Sequence, residues 1–256
     1  MLTKALFVAG MATSLIAPAK PTIVMPTPAI VKPENLDFSK HMLLGMPITM
    51  GILAGAGSGP FLISTTQLYN DSSATTTGDI TVPSDCTLMV VAYGCYHGNQ
   101  PTSIEYFDFE YPLNSGTYYN LSSGVSFGQQ SSRAGTAIYY MNNPPIGTGT
   151  LFASTLNTGA SSAGFATIYF LKNANASPIG TQSSTGSTSA TSLSITSTTT
   201  SVKPFIISVM TINSGISNAT FTNLTLGQYH NEGTHGFNSG YNSTATNAST
   251  VYSSGF

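Results

Sequence analysis

The clearest feature of the chain is a run of apolar residues, L-M-V-V-A-Y (88–93), that does not alternate with polar ones. On a β-strand, Leu88, Val90 and Ala92 face one side while Met89, Val91 and Tyr93 face the other. With both faces apolar, the pattern predicts a strand covered on both sides, in the middle of a sandwich. Just before it, Thr81-Val82-Pro83-Ser84 reads as a strand end that breaks at a proline into a turn.

Further strands are expected at Phe61 to Leu68, Thr102 to Phe109 and Ala134 to Met141, the last stopped by N-N-P-P (142–145). Gly149 to Thr155 is expected to return as the hairpin partner of Ala134 to Met141, and the segment from Asn114 to Gly128 reads as turns. Ala163 to Leu171 and Pro204 to Ile212 are again apolar on both faces. Between residues 181 and 201, 16 of 21 residues are Ser or Thr, which predicts one edge strand, anchored by Leu193 and Ile195, inside a polar connection. Thr220 to Tyr229 and Ala248 to Tyr252 complete the set. Eight or more short strands punctuated by turn signals, with no long helical periodicity after residue 60, predict an all-β domain of β-sandwich or jelly-roll type over 61–256.

Residues 1–60 have a different character and are read as an N-terminal arm and linker. They hold six of the nine Met and seven of the fourteen Pro, whereas all thirteen Tyr lie later. The first twenty residues have the pattern of a secretory signal: Lys4, an apolar run to Ala17, then A-P-A (17–19). The alternative is an apolar segment that stays attached. Four prolines between Pro21 and Pro33 suit an extended tether. Pro33, Glu34 and Asp37 then start a short helix, and Lys40, His41, Gly45 and Pro47 end it. Its apolar residues Leu36, Phe38, Met42, Leu43 and Leu44, followed by Met46, wrap most of the circumference. They are therefore candidates for docking into a neighbouring protein. The charge-free stretch from Met42 to Asn70 is cut by Pro47, Gly51, Gly55, Gly57, Gly59 and Pro60, which argues against a membrane span. G-A-G-S-G-P (55–60) reads as a flexible linker.

Composition narrows the function. Only 6% of residues are charged and the net charge is −2. The seven Lys and Arg are scattered, so the clustered cations of a nucleic-acid site are missing. Ser, Thr, Asn and Gly take the place of charges. Cys86 and Cys95, if both lie on the central strand, are too far apart for a disulfide and read as two free, small apolar residues.

No pattern predicts catalysis, a cofactor or a metal. H-N-E-G-T-H (230–235) places His230 and His235 five apart beside Glu232, and the glycines at 233, 236 and 240 make this a polar loop, not the helix that zinc hydrolases use. Glu105, Asp108 and Glu110 are close in sequence. On a strand, Glu105 and Asp108 point to opposite faces while Asp108 and Glu110 share one, and all three read as solvated. There is no G-x-S-x-G elbow, and the run at 55–59 lacks the Lys of a phosphate loop. The Tyr residues, set among Asn, Ser and Gly, have the palette of antibody loops and could form a binding face for sugars. Their place in strands favours core and strand-surface roles.

Three runs carry a resemblance: I-T-V-P-S-D-C-T-L-M-V-V-A-Y (80–93), R-A-G-T-A-I-Y-Y-M-N-N-P-P-I-G-T-G-T-L (133–151) and A-T-I-Y-F-L-K-N-A-N-A-S-P-I-G (166–180). Together they resemble a β-sandwich module of secreted bacterial proteins and of virion proteins of tailed phages. L-D-F-S-K-H-M-L-L-G-M-P (36–47) is similar to short anchoring segments near the start of phage virion proteins. Tyr139 and Tyr140 stand where that module often has a Trp. The resemblance implies a virion structural protein, not an enzyme, that docks by its arm to a capsid or tail neighbour. It also implies a homo-oligomer, three-fold by preference, and the strand faces apolar on both sides point the same way. The alternative is a secreted or surface carbohydrate-binding sandwich.

Overall fold

The computed structural model describes residues 48–55, 59–70, 76–96, 104–129, 134–155, 163–185, 192–198, 204–212, 220–231, 236–243 and 249–255. The expected tether, the helix over 33–45 and the docking residues Leu36, Phe38, Met42, Leu43, Leu44 and Met46 lie outside the described residues. So does the signal-like segment.

The described residues form seventeen strands, β1 to β17 in chain order, and no helix. The middle of the domain is a five-stranded antiparallel sheet in the order β2 (Phe61–Asn70), β10 (Ala163–Lys172), β4 (Leu88–Tyr96), β8 (Ala134–Asn142), β7 (Ser122–Gln129). Two of its inner strands, β4 and β10, have sequences that are apolar on both faces. β4 is buried from Leu88 to Cys95, and β10 from Ala163 to Leu171.

Each face of this sheet has its own core. Met89, Val91 and Tyr93 of β4, with Ala166, Ile168 and Phe170 of β10, pack against Ile80, Phe107, Phe109 and Leu151. Those partners belong to a four-stranded sheet ordered β3 (Thr76–Val82), β9 (Gly147–Thr155), β5 (Ile104–Glu110), β6 (Tyr118–Asn120). On the other face, Leu88, Val90 and Ala92, with Tyr169 and Leu171, pack against Phe205, Ile207 and Val209. These lie on β13 (Phe205–Ile212), which belongs to a five-stranded sheet ordered β11 (Ala174–Thr185), β1 (Ile48–Gly55), β13, β16 (Gly236–Asn242), β15 (Thr225–Asn231). The result is three stacked sheets, a sandwich with a second slice. A small sheet ordered β12 (Ser192–Thr198), β17 (Ser249–Gly255), β14 (Thr220–Thr222) completes the described strands. It reaches the outer face of the β13 sheet near Gly240, where a Cβ would come within 3.4 Å of the Phe221 ring.

Hydroxyls do inside this fold what charges cannot. Thr211 Oγ1 donates to the Gly135 carbonyl at 3.0 Å, joining β13 to β8 across the layers. Ser239 Oγ donates to Thr167 Oγ1 at 2.7 Å, joining β16 to β10. Both seams are buried, and a paired hydroxyl there escapes the desolvation cost that an ion would meet. The layers approach closely at Gly94, where a Cβ would lie 2.5 Å from Thr211 Oγ1 and 3.1 Å from the Phe237 ring.

Four expectations are corrected. The sheet begins before residue 61, because Ile48–Gly55 pairs with both β11 and β13; its Ile and Thr residues favour a strand although glycines punctuate it. β8 and β9 are not a hairpin. β9 pairs with β3 and β5 in the outer sheet, while β8 pairs with β4 and β7 in the middle one. Pro144 and Pro145 cannot donate to a ladder, and the chain crosses between layers there while Asn143 N–H donates to the Thr87 carbonyl at 2.9 Å. The turn-rich segment 114–128 contains β6 and most of β7. Finally, the apolar strand faces offered as a reason for oligomers are covered inside the chain: all of Leu88–Tyr93, Ile168–Leu171 and Phe205–Met210 are buried.

Candidate functional site

The two cysteines are free and buried, as expected, but only Cys95 lies on β4. Cys86 closes the turn ahead of it, its N–H donating to the Pro83 carbonyl at 3.1 Å. Burial pushes the Cys86 thiol up to about 11 and that of Cys95 up to about 12. Thiols held protonated in this way are poor nucleophiles.

Of the H-N-E-G-T-H group, Glu232 and His235 are outside the described residues. His230 lies on strand β15, not in a loop, and stacks on Tyr69 with ring centroids 4.3 Å apart and on Phe165 at 6.0 Å. It is part of an aromatic column. Among the described residues, no three His, Cys, Asp or Glu side chains gather as a metal site would require.

The acidic group behaves differently from expectation. Asp108 and Glu110 do share a face of β5, the outer face, opposite Phe107 and Phe109 of the core. Glu110, however, is buried, and its Oε1 accepts the Gly116 N–H at 2.7 Å. The tight β5–β6 connection brings that amide back: Ser115 N–H donates to the Pro112 carbonyl at 3.0 Å, and Asn114 and Gly116 adopt left-handed backbone at φ 59° and 71°. Partial burial raises the Asp108 carboxyl above its ordinary value.

Beside Glu110 and Asp108 in the register stands an aromatic pair that sequence reasoning missed. Register puts Tyr118 of β6 beside Glu110, and Phe152 of β9 beside Asp108. β6 and β9 flank β5, so their axes lie about 9.5 Å apart. Yet the rings of Tyr118 and Phe152 have centroids 5.9 Å apart, inclined at 59°. They lean over β5 and meet above it. Around them, on the same face, register sets Asn120 beside Asp108, Thr77 beside Phe152, and Asp79 beside Thr150. Thr150 Oγ1 donates to Asp79 Oδ1 at 2.8 Å, and the hydroxyls of Thr81 and Thr148 are bonded at 2.9 Å. Tyr118 is 54% exposed, so the platform is open to solvent. A signal for this face was present in the alternation of F-D-F-E (107–110) and T-T-G-D-I-T-V (76–82), which marks strands with one wet side. Which aromatics meet above it depends on strand order, which alternation does not encode.

Chemically, the described residues of this outer face offer stacking surface and hydrogen-bonding groups. Lys172, the one Lys or Arg among the described residues, lies elsewhere, paired with Asp85 at 3.2 Å and 5.1 Å from the Phe61 ring centroid. Comparison with protein-family models, with curated proteins and with solved structures finds no match.

Proposed function

We propose that the chain is a structural component of a tailed-phage particle, docked to a capsid or tail neighbour through its N-terminal segment and displaying the stacked β-domain outward. The observation that supports this reading best is the use to which the interior is put. β4 and β10 of the middle sheet bury both their faces in packing, and burial raises the pKa of the Cys95 thiol and of the Tyr169 phenol there. Such packing supports the reading of a rigid structural body. The resemblance adds to it. Its three runs supply β4, β8 and β10, which are adjacent in the middle sheet and form the part of the domain on which the rest is stacked.

In this reading Leu36, Phe38, Met42, Leu43, Leu44 and Met46 are the docking residues. A three-fold arrangement of copies follows from the resemblance, and contact between copies then falls to exposed residues or to the arm. Mass spectrometry of purified particles tests the proposal: the chain should be present in fixed proportion to the major capsid or tail protein. Particles assembled with Leu36→Asp and Leu43→Asp together should lose it. Its absence from purified particles, or undiminished incorporation of the double variant, contradicts the reading.

A further inference from the structure

We propose that the outer face of the β3-β9-β5-β6 sheet is a carbohydrate-binding surface for uncharged glycans, with the Tyr118–Phe152 pair as its stacking platform. The proposal concerns the displayed domain and does not depend on what the arm docks to.

Three observations converge on a polyhydroxylated ligand. The first is the platform itself. A pyranose ring has a flat face of C–H groups that pairs with an aromatic ring, as one apolar surface with another. Tyr118 leaves more than half of its surface open, and the Phe152 ring against which it leans, half-buried, limits the orientations it can take. A ring held by a neighbour loses little freedom when a ligand arrives.

The second is what surrounds the platform. A sugar's hydroxyls need planar, bidentate partners, and carboxylates and amides supply them. Asp108 and Asn120 stand beside each other next to the rings, Asp108 half-buried and Asn120 exposed. Asp79 is fixed by Thr150 through one oxygen, which leaves the other for a donor. These groups are held by strand register on a rigid sheet, so they are positioned before binding.

The third is charge. Three of the chain's nine acidic residues, Asp79, Asp108 and Glu110, lie on this one face, and no described cation joins them. Such a face repels phosphate, sulfate and uronate groups, so nucleic acids and acidic polysaccharides are excluded. A protein partner would want a contiguous apolar centre, with charge kept to the rim. Here the rings are bounded by threonine hydroxyls and carboxyls. Neutral hydroxyl donors complement the surface best.

The test is native gel electrophoresis of the full chain through gels cast with dextran, laminarin, yeast mannan or galactomannan, with heparin and alginate as acidic controls. At least one neutral glycan should retard the protein, and neither acidic one should. Tyr118→Ala should weaken that retardation about tenfold, the order of effect expected from losing one aromatic contact. Tyr118→Phe should keep it, because the ring remains. Tyr118 is exposed, so both variants should unfold at the same denaturant midpoint as the parent, and that measurement separates lost binding from lost structure. Retardation by none of the neutral glycans, retardation by the acidic ones alone, or neutral-glycan binding indifferent to Tyr118→Ala would each overturn the proposal.

Discussion

β10 and β3 are both strands of the same domain, and they read very differently. β10 is buried at nine consecutive positions, whereas β3 follows the alternation of a strand with one face toward water, Ile80 and Val82 inward and Asp79 and Thr81 outward. The difference lies in how many layers cover each. β10 has the β3-β9-β5-β6 sheet on one side and the β13 sheet on the other, while β3 faces its core on one side alone. In a chain with so little charge, the polar residues must serve two ends. On the outer sheet Thr, Asn and Asp meet solvent, and in the inner seam Thr211, Ser239 and Thr167 bond layer to layer.

The largest effects should come from breaking the middle of the stack. Phe170 fills one core and Phe205 the other. Phe170→Ala and Phe205→Ala should each cost about 3–5 kcal/mol in urea unfolding. A marked inequality, with one of the two near neutral, would mean that one core is not closed.

A smaller loss is expected at Gly94, where two layers come close. Gly94→Ala would push a methyl group against Thr211 Oγ1 and the Phe237 ring, disturbing the Thr211–Gly135 bond. Overpacking of this kind typically costs about 1–3 kcal/mol. A neutral result would show that the seam has more room than the geometry gives it.

The buried thiols sharpen the comparison by titration. Cys95 ionises at about 12 in the folded protein and Cys86 at about 11, against an ordinary value of 9.0. Folding holds both protons. Their contribution to stability is therefore complete below pH 9.0 and lost progressively as pH rises toward 11 and 12. Urea midpoints should fall across that window, with thiolate absorbance rising as the protein unfolds. Thiolate that appears near pH 9 with the fold intact would show the cysteines to be wet.

The smallest effect belongs to the wet face. Asp108 has a raised carboxyl pKa, so the fold favours its protonated form, and the stability linked to it declines as pH rises above its ordinary 3.8. Asp108→Asn mimics the protonated form and should raise the melting temperature slightly at neutral pH, within the range of about 0.5 kcal/mol usual for surface changes. The gain should vanish in acid. A loss at neutral pH would mean that the carboxylate is instead held by a partner.

The continuous apolar runs at 88–93, 163–171 and 204–212 announced the inner strands, and side-chain alternation on β4 assigned each residue to the face it occupies. Pro83 marked the turn before it. Strand order was beyond such reasoning. Nothing in A-G-T-A-I-Y-Y-M or G-T-G-T-L-F-A says that the two belong to different sheets, and the aromatic platform depends on that order. β16 was missed because G-F-N-S-G-Y-N has the composition of a loop; yet Gly236 to Gly240 are all buried. There Phe237 packs against Phe165, and Gly240 gives Phe221 room to approach. A strand sheltered between layers need not be apolar when its small residues admit bulky neighbours.

Leu88 and Met89 are adjacent in sequence, fully buried, and in contact with different cores. The most direct test of the stacked arrangement compares the unfolding free energies of Leu88→Ala and Met89→Ala, measured separately in urea against the parent chain. Both should fall by about 2–5 kcal/mol, since each leaves a cavity on its own side of the middle sheet. A loss in one variant with less than about 0.5 kcal/mol in the other, the level of an exposed position, would mean that one face of β4 is open and that the stack of three sheets is wrong.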